Sequence, residues 1–113
     1  MMNEMYDYEE DLDVLYIYNN PSNKMVEGNL VLENMVLDIG REGEILGAEI
    51  DCASKFLNLP LDYLKNLKTA QIKIIKFRNM IKFEVNLVNN AGNSASFQFV
   101  NLKNAGKIPI ATC

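Results

Sequence analysis

The last third of the chain alternates apolar and polar residues, and this alternation constrains the fold more than any other feature. Segments 71–77, 80–89 and 93–101 repeat with the two-residue period of a strand that buries one face. Arg78-Asn79 and the loop Asn90-Ala91-Gly92 separate them, with lengths typical of β-hairpin connections. The pattern therefore predicts a three-stranded antiparallel meander.

The loop lengths also predict how these strands pair. The two-residue turn sets Ile74 opposite Phe83 and Lys73 opposite Glu84. The three-residue loop sets Phe83 opposite Phe99. A slip of one residue would turn the apolar set of one strand to water, so the register is strongly specified. The apolar face then carries Ile72, Ile74, Ile81, Phe83, Val85, Leu87, Ala95, Phe97 and Phe99.

Shorter strands are predicted in the first half of the chain. Val14–Asn19 carries apolar side chains on both faces, which is typical of a strand in the middle of a sheet. Turn residues separate the other segments, which are short enough to form hairpins with one another. These further strands are predicted at Met5–Tyr8, Leu30–Glu33, Met35–Ile39 and Glu44–Asp51.

The pattern changes from strand to helix after Cys52. A short helix is predicted there, with Ser54 as its N-terminal cap or with Ala53 already helical. A second helix is predicted over Pro60–Asn66, because proline fits the first turn of a helix. The spacing of one buried helical stripe is followed by Leu57, Leu61 and Leu64.

Together these elements predict an α+β fold, built mainly from antiparallel β-hairpins with one or two short helices near residues 53–66. The 113 residues fit a single domain that spans residues 1–113. Within it, residues 5–57 form a β-rich half, and residues 68–102 contain the meander.

The chain has no histidine and only two cysteines, Cys52 and Cys113. Without histidine it lacks the commonest general base and the usual zinc ligand, so no catalytic residue, metal or cofactor is predicted. No apolar run reaches the length of a membrane helix, and the acidic start Met1-Met2-Asn3-Glu4 is unlike a secretory signal. We therefore expect a cytoplasmic protein without membrane contact, whose cysteines are reduced thiols.

Charge divides the chain into an acidic and a basic half. Residues 1–57 contain 13 acidic and 3 basic residues, while residues 58–113 contain 2 acidic and 8 basic residues. Two interpretations stay open: the halves attract each other within the fold, or the acidic half recruits a basic protein partner.

Two groups of carboxylates are candidate sites. The acidic run from Asp7 to Asp13, with Asp11 inside it, offers oxygen ligands for Ca²⁺ or Mg²⁺ but lacks the glycine and closing glutamate of an EF-hand loop. Its alternative is a solvated turn. The second group, on two strands expected to pair, contains Asp38, Glu49 and Asp51. It could support acid–base or Mg²⁺-dependent chemistry, or it could simply face solvent.

Basic residues gather around the first hairpin of the meander. A basic strand surface with an aromatic ring can bind single-stranded nucleic acid, but the net charge of −4 argues against that partner. The alternatives are a solvated surface or a partner surface that includes exposed apolar side chains. The residues concerned are Lys73, Lys76, Arg78 and Lys82, with Phe77 and Met80 at the tip.

Three pieces of the first half resemble an uncharacterised family of small prokaryotic proteins, the domain-of-unknown-function family 2283. The run from Tyr8 to Ile17 is similar to its opening Tyr-Asp-x-Glu-x-Asp-x-Leu-Tyr-Ile sequence. Val36-Leu37-Asp38 and Gly47-Ala48-Glu49-Ile50, on either side of Gly43, resemble its second hairpin, and Ala53-Ser54-Lys55 resembles its closing residues. The resemblance covers about residues 5–57. It implies a compact β-rich fold and, through the toxin-like neighbours of some members, an antitoxin-like role.

These observations favour a non-enzymatic protein-interaction domain that binds a basic protein partner and forms a homodimer through its sheet edges. Asp11, Asp13, Asp38 and Glu49 are the candidate contacts in the acidic half. The candidate contacts in the basic half are Lys73, Lys76, Phe77 and Lys82. The alternatives are a small-ligand or Mg²⁺-dependent enzyme that uses the strand carboxylates, and nucleic-acid binding through the basic hairpin.

Overall fold

Two antiparallel sheets and two short helices make up the computed structural model, which describes residues 5–78 and 80–102. This arrangement confirms the predicted α+β class. The elements are β1 Tyr6–Glu9, β2 Val14–Tyr18, β3 Gly28–Leu32, β4 Met35–Ile39, β5 Ile45–Ile50, α1 Ala53–Phe56, α2 Leu61–Lys65, β6 Leu67–Lys76, β7 Met80–Asn89 and β8 Ser94–Leu102.

The first sheet has five strands in the order β1-β2-β5-β4-β3. β2 pairs with β1 on one side and with β5 on the other, which confirms the prediction of an internal strand. Alternate residues point to opposite sides of the sheet, so its inner side is uniformly apolar. One row across the inner side contains Tyr8, Leu15, Ile50, Met35 and Leu32.

The second sheet is the meander β6-β7-β8, and its predicted register is confirmed. The pairs Ile74–Phe83, Lys73–Glu84 and Phe83–Phe99 are all present. The amide of Phe77 donates to the carbonyl of Met80 over 2.8 Å, which closes the first hairpin. The first strand is longer than predicted: β6 begins at Leu67, because the segment after α2 pairs at once with the end of β7.

The inner sides of the two sheets share one cluster of buried side chains. Phe83, Val85 and Leu87 of β7 belong to it, and so do Leu15 and Ile17 of β2. Burying each such side chain contributes roughly 1.5–3 kcal/mol to folding. The two sheets are therefore held together mainly by apolar packing.

The helices are separate, and one prediction about them is wrong. Leu57 and Leu64 are buried, but Leu61 is 45 % exposed, so the three leucines do not form one stripe. Asn58 has a φ of 56°, and Pro60 precedes α2 in an extended conformation. The chain therefore turns between the helices, and helical spacing does not carry over from one to the other. Ala53, rather than Ser54, begins α1.

Candidate functional site

The outer side of the five-stranded sheet carries most of the candidate carboxylates. Register places Asp7, Tyr16, Glu49 and Val36 in one row across β1, β2, β5 and β4. The neighbouring row contains Tyr18, Gly47 and Asp38. We define the acidic face as Asp7, Glu9, Tyr16, Tyr18, Asp38, Glu49 and Asp51.

Glu49 lies at the centre of the acidic face. Burial, a side-chain hydrogen bond with Asp51 and the charges of Asp51 and Asp38 together raise its pKa. All the charges that raise it come from carboxylates, so Glu49 lies in a negative environment. The predicted pairing of the strands that carry these residues is confirmed, and the fold brings the three carboxyls together.

Asp38 lies over Gly47, in the row next to Glu49. Asp38 and Gly47 are opposite each other on β4 and β5. A Cβ added at Gly47 would lie 3.4 Å from the Asp38 carboxylate and 3.2 Å from the Ile17 carbonyl oxygen. The tighter of these two distances is to the Ile17 carbonyl, while the Asp38 carboxylate lies at ordinary van der Waals distance over Gly47. Asn29 fixes the other oxygen of Asp38 with a 2.7 Å hydrogen bond.

Two tyrosine rings cover the β2 part of the acidic face. The rings of Tyr16 and Tyr18 stack with centroids 6.4 Å apart and planes 5° from parallel. Tyr18 is 46 % exposed. Burial raises the pKa of Tyr16, and the charges of carboxylates, Glu49 foremost, raise it further. The face therefore combines negative charge with an exposed flat aromatic surface.

Asp13 has a structural role that sequence reasoning missed. Its carboxylate accepts hydrogen bonds from the Tyr8 hydroxyl (2.6 Å), the Ser54 hydroxyl (2.7 Å) and the Ser54 amide (3.0 Å). Its carbonyl accepts a bond from the Ala53 amide over 2.8 Å. Asp13 thus connects the β1–β2 turn to the start of α1, and we call this group the Asp13 junction.

The Asp13 junction determines the protonation of its members. Burial would raise the pKa of Asp13, but the hydrogen bonds from Tyr8 and Ser54, with the charge of Lys55, lower it overall. Burial and the bond to Asp13 raise the pKa of Tyr8. The signal available in the sequence was the residue type, because Asp and Asn adopt a positive φ more readily than most residues, and Asp13 has a φ of 54°.

Asp7 and Glu9 of the acidic run lie in β1, and Glu10 and Asp11 lie in a solvated turn. Asp11 is exposed, and Glu10 forms a 3.4 Å ion pair with Lys65, which joins the acidic and basic halves of the chain. Both side chains of that pair are about half exposed, so it stabilises the fold weakly. Among residues 5–78 and 80–102, no three acidic or cysteine side chains are arranged to hold a metal ion.

The basic hairpin does not present its charges on one surface. Lys73 and Lys82 lie on the outer side of the meander beside Glu84, which also accepts bonds from Asn86 and Gln98. The two amides and the two lysines lower the pKa of Glu84. Alternation along β6 places Lys76 on the other side of the sheet. Of the exposed tip residues, Phe77 is 51 % exposed, and Arg78 is exposed as well.

Cys52 corrects one expectation, because it is bonded in a disulfide rather than present as a reduced thiol. Cys113 lies outside the described residues.

Neither helix of the described chain has the length and apolar character of a segment that crosses a bilayer. The cytoplasmic location stays a prediction.

These features define a small α+β protein of two antiparallel sheets, the larger of which has an acidic outer face. The chain belongs to the family described as Protein of unknown function (DUF2283), whose model matches residues 5–54. The matched segment contains all five strands of the larger sheet, the acidic face, and the Asp13 junction as far as Ser54. This confirms the resemblance seen in the sequence.

A curated relative extends the similarity into the meander. A Methanosarcina mazei protein named "Putative hypoxanthine phosphoribosyltransferase" is 31 % identical over 88 residues, which cover 78 % of this chain and 70 % of that protein. No solved structure matches the chain.

Proposed function

We propose that this protein is a non-enzymatic interaction domain that binds a basic protein partner on its acidic face. The observation that carries the proposal is the set of like charges around Glu49, which the fold gathers beside Asp51 and Asp38. Adjacent carboxylates raise one another's free energy, so gathering them lowers stability. A cation from a partner would remove that repulsion.

The stacked tyrosines favour arginine as the contacting residue of the partner. A guanidinium group packs flat on an aromatic ring and can also form two parallel hydrogen bonds with a carboxylate. Tyr18 is exposed in the row that contains Asp38, and Tyr16 lies directly opposite Glu49. One arginine side chain could therefore contact a ring and a carboxylate of the acidic face at the same time.

Self-association through this face is disfavoured, because a second copy would bring the same carboxylates toward it.

A homodimer through sheet edges is a separate proposal. It would use β1 or β3, the outermost strands of the larger sheet. The β3 side has exposed apolar residues, since Met25 is 76 % and Val31 59 % exposed. Analytical ultracentrifugation over a range of concentrations tests it.

An antitoxin-like role fits a face of this kind. A toxin that binds RNA has a basic surface, and an acidic partner could cover it. Complementary charge would speed that encounter and make it sensitive to salt. Copurification of the native protein from its source at low salt tests this role, and a monomer without any basic protein bound would contradict it.

The direct test uses a labelled nona-arginine peptide as probe and measures fluorescence anisotropy at low salt. The double variant Glu49→Gln/Asp51→Asn removes two charges at the centre of the acidic face and should weaken binding about tenfold. The control Asp11→Asn/Glu42→Gln removes the same charge from two exposed positions outside the face. It should bind within about twofold of wild type, because distant charges are screened. Equal weakening in both variants, or none, would contradict the proposal.

The name of the Methanosarcina relative suggests a second candidate, phosphoribosyl transfer. Proteins commonly bind phosphate with successive backbone amides at a glycine-rich loop or at the start of a helix. The described helices have only four and five residues, and they follow Cys52 and Pro60 rather than a glycine-rich loop. Neither helix start therefore resembles a phosphate site of this kind, which supports the non-enzymatic interpretation. An assay for hypoxanthine phosphoribosyl transfer decides between the two: turnover above a no-protein blank would favour the enzyme.

A further inference from the structure

A groove of about 390 Å³ opens between the two sheets, on the opposite side of the larger sheet from the acidic face. Its walls are almost entirely apolar. They come from β3, β4 and β5 on one side and from the β6–β7 hairpin on the other, where the sheets separate. The apolar side chains of the walls belong to Leu30, Ile39, Ile45, Ile74, Ile81 and Phe83, and Asn29 and Lys76 are the polar residues of the lining.

The groove is an open end of the core. Phe83 and Ile45 at its floor are 0 % and 3 % exposed, so they belong to the buried cluster. Leu30 and Ile74 pack against the same cluster but are only partly buried. Apolar surface left uncovered inside a concave groove is typical of a ligand site, and this volume is within the range of such sites, roughly 300–1,000 Å³.

Lys76 gives the groove its charge. It lies on the groove side of β6, and a Cβ added at Gly43 would lie 3.2 Å from its Nζ atom. Gly43 has a φ of +82° in the turn between β4 and β5, so the turn brings bare backbone up to the lysine. Within the part of the chain that the structure describes, Lys76 forms no ion pair. Its ammonium group therefore lies next to an apolar groove without a carboxylate partner there.

We propose that this groove binds a small amphipathic monocarboxylate, such as a medium-chain fatty acid. The apolar tail would lie between the sheets against Leu30, Ile74 and Phe83, and the carboxylate would pair with Lys76 Nζ. Burial of the tail provides most of the binding free energy, and the ion pair selects an anion. The proposal is independent of the basic partner, because the two sites lie on opposite sides of the larger sheet.

The test is isothermal titration of the full chain with decanoate at concentrations below micelle formation. Wild type should bind one decanoate saturably. Acetate, which has the charge without the tail, and decyltrimethylammonium, which has the tail with the opposite charge, should bind at least about tenfold more weakly. Equal binding of decanoate and decyltrimethylammonium would overturn the proposal, since Lys76 would then select nothing.

Lys73 provides a matched control on the same strand. Lys76→Gln should weaken decanoate binding about tenfold, whereas Lys73→Gln removes the same charge from the outer side of β6 and should leave it unchanged. Leu30→Trp, which fills the groove without changing charge, should also weaken binding. Thermal melting identifies any variant that fails to fold.

Nitrogen-15 NMR then locates the ligand. Decanoate should shift the backbone amide signals of Ile45, Ile74 and Phe83, and leave those of Tyr16 and Glu49 in place. Equal loss of affinity in both lysine variants, or shifts confined to the acidic face, would overturn the proposal. Absence of saturable binding by wild type would also overturn it.

Discussion

The two sheets each carry a glutamate on the outer side of an internal strand, and the two glutamates lie in opposite environments. Glu49 of β5 lies beside two aspartates, and burial with their charges raises its pKa. Glu84 of β7 lies beside two amides and two lysines, which lower its pKa. The residue type and the kind of position are the same, so burial and the neighbouring side chains account for the difference.

This difference shows which of the two outer faces already has cations beside its central glutamate. The outer side of the meander neutralises its own charge, because Lys73 lies opposite Glu84 on β6 and Lys82 lies two residues before it on β7. The acidic face has no such cation acting on Glu49 among the described residues. The acidic face therefore has the greater electrostatic gain available from a basic partner.

The Asp13 carboxylate accepts hydrogen bonds from both Tyr8 and Ser54. Its removal should have the largest effect on stability. Asp13→Ala deletes the acceptor of three hydrogen bonds and leaves Tyr8 and Ser54 with unpaired donors. We expect a loss of about 2–3 kcal/mol in the free energy of unfolding, measured by urea denaturation. Asp11→Ala, in the same turn but exposed, should change it by less than about 0.5 kcal/mol. Similar losses in both variants would mean that the junction does not stabilise the fold.

Tyr8→Phe should have the next largest effect. It removes only the hydroxyl that donates to Asp13 over 2.6 Å, so we expect a loss of about 1 kcal/mol by urea denaturation. Tyr16→Phe is the control, because that hydroxyl lies on the acidic face, away from the junction. Combining Tyr8→Phe with Asp13→Asn tests their coupling: strictly additive losses would contradict a direct bond between the two side chains.

The meander shows how much of the fold the sequence could predict. Its register follows from two short turns and from alternation in neighbouring segments, so local information was sufficient to place Phe83 opposite Phe99. The order of the five-stranded sheet depends on pairing between β2 and β5, which are distant in sequence. The predicted stripe through Leu61 failed for a local reason, because the chain turns at Asn58.

The positions of the candidate site residues could also be predicted only where they depend on local strand pairing. Pairing of β4 and β5 correctly brought Asp38 and Glu49 to one face. Asp13 was assigned to a partner surface, yet it bonds inward to Ser54, which is 41 positions away in the chain. No local pattern contains that contact. The inner position of Lys76 was within reach of sequence reasoning, since alternation from Lys73 places the two lysines on opposite sides.

The two glutamates should respond oppositely to neutralisation at pH 7. Glu49→Gln removes repulsion with Asp51 and Asp38, so it should stabilise the protein by about 0.5 kcal/mol. Glu84→Gln removes favourable contacts with lysines and amides, so it should destabilise it slightly. Urea denaturation of the two variants side by side measures both signs. If both variants shift in the same direction, the environments do not differ as described.

The smallest expected effect is a difference between the two variants in the pH at which their stability departs from that of wild type. Both variants should approach wild type at low pH, where the two glutamates are protonated and resemble glutamine. Because the folded-state pKa of Glu84 is lowered, its stabilisation is present above the unfolded value of about 4.3 and is lost as pH falls through the folded pKa. The folded-state pKa of Glu49 is raised, so the protonated carboxyl stabilises the fold below about 4.3, and that stabilisation is lost as pH rises through the folded pKa.

As pH increases, the effect of Glu84→Gln should therefore appear first, below about pH 4.3, and that of Glu49→Gln should follow at higher pH. Urea titrations at closely spaced pH values from acid to neutral measure both onsets. Coincident onsets would mean that the two carboxyls titrate alike. The acidic face would then lose the electrostatic distinction that favours a basic partner, because its central glutamate would ionise as easily as the neutralised one on the meander.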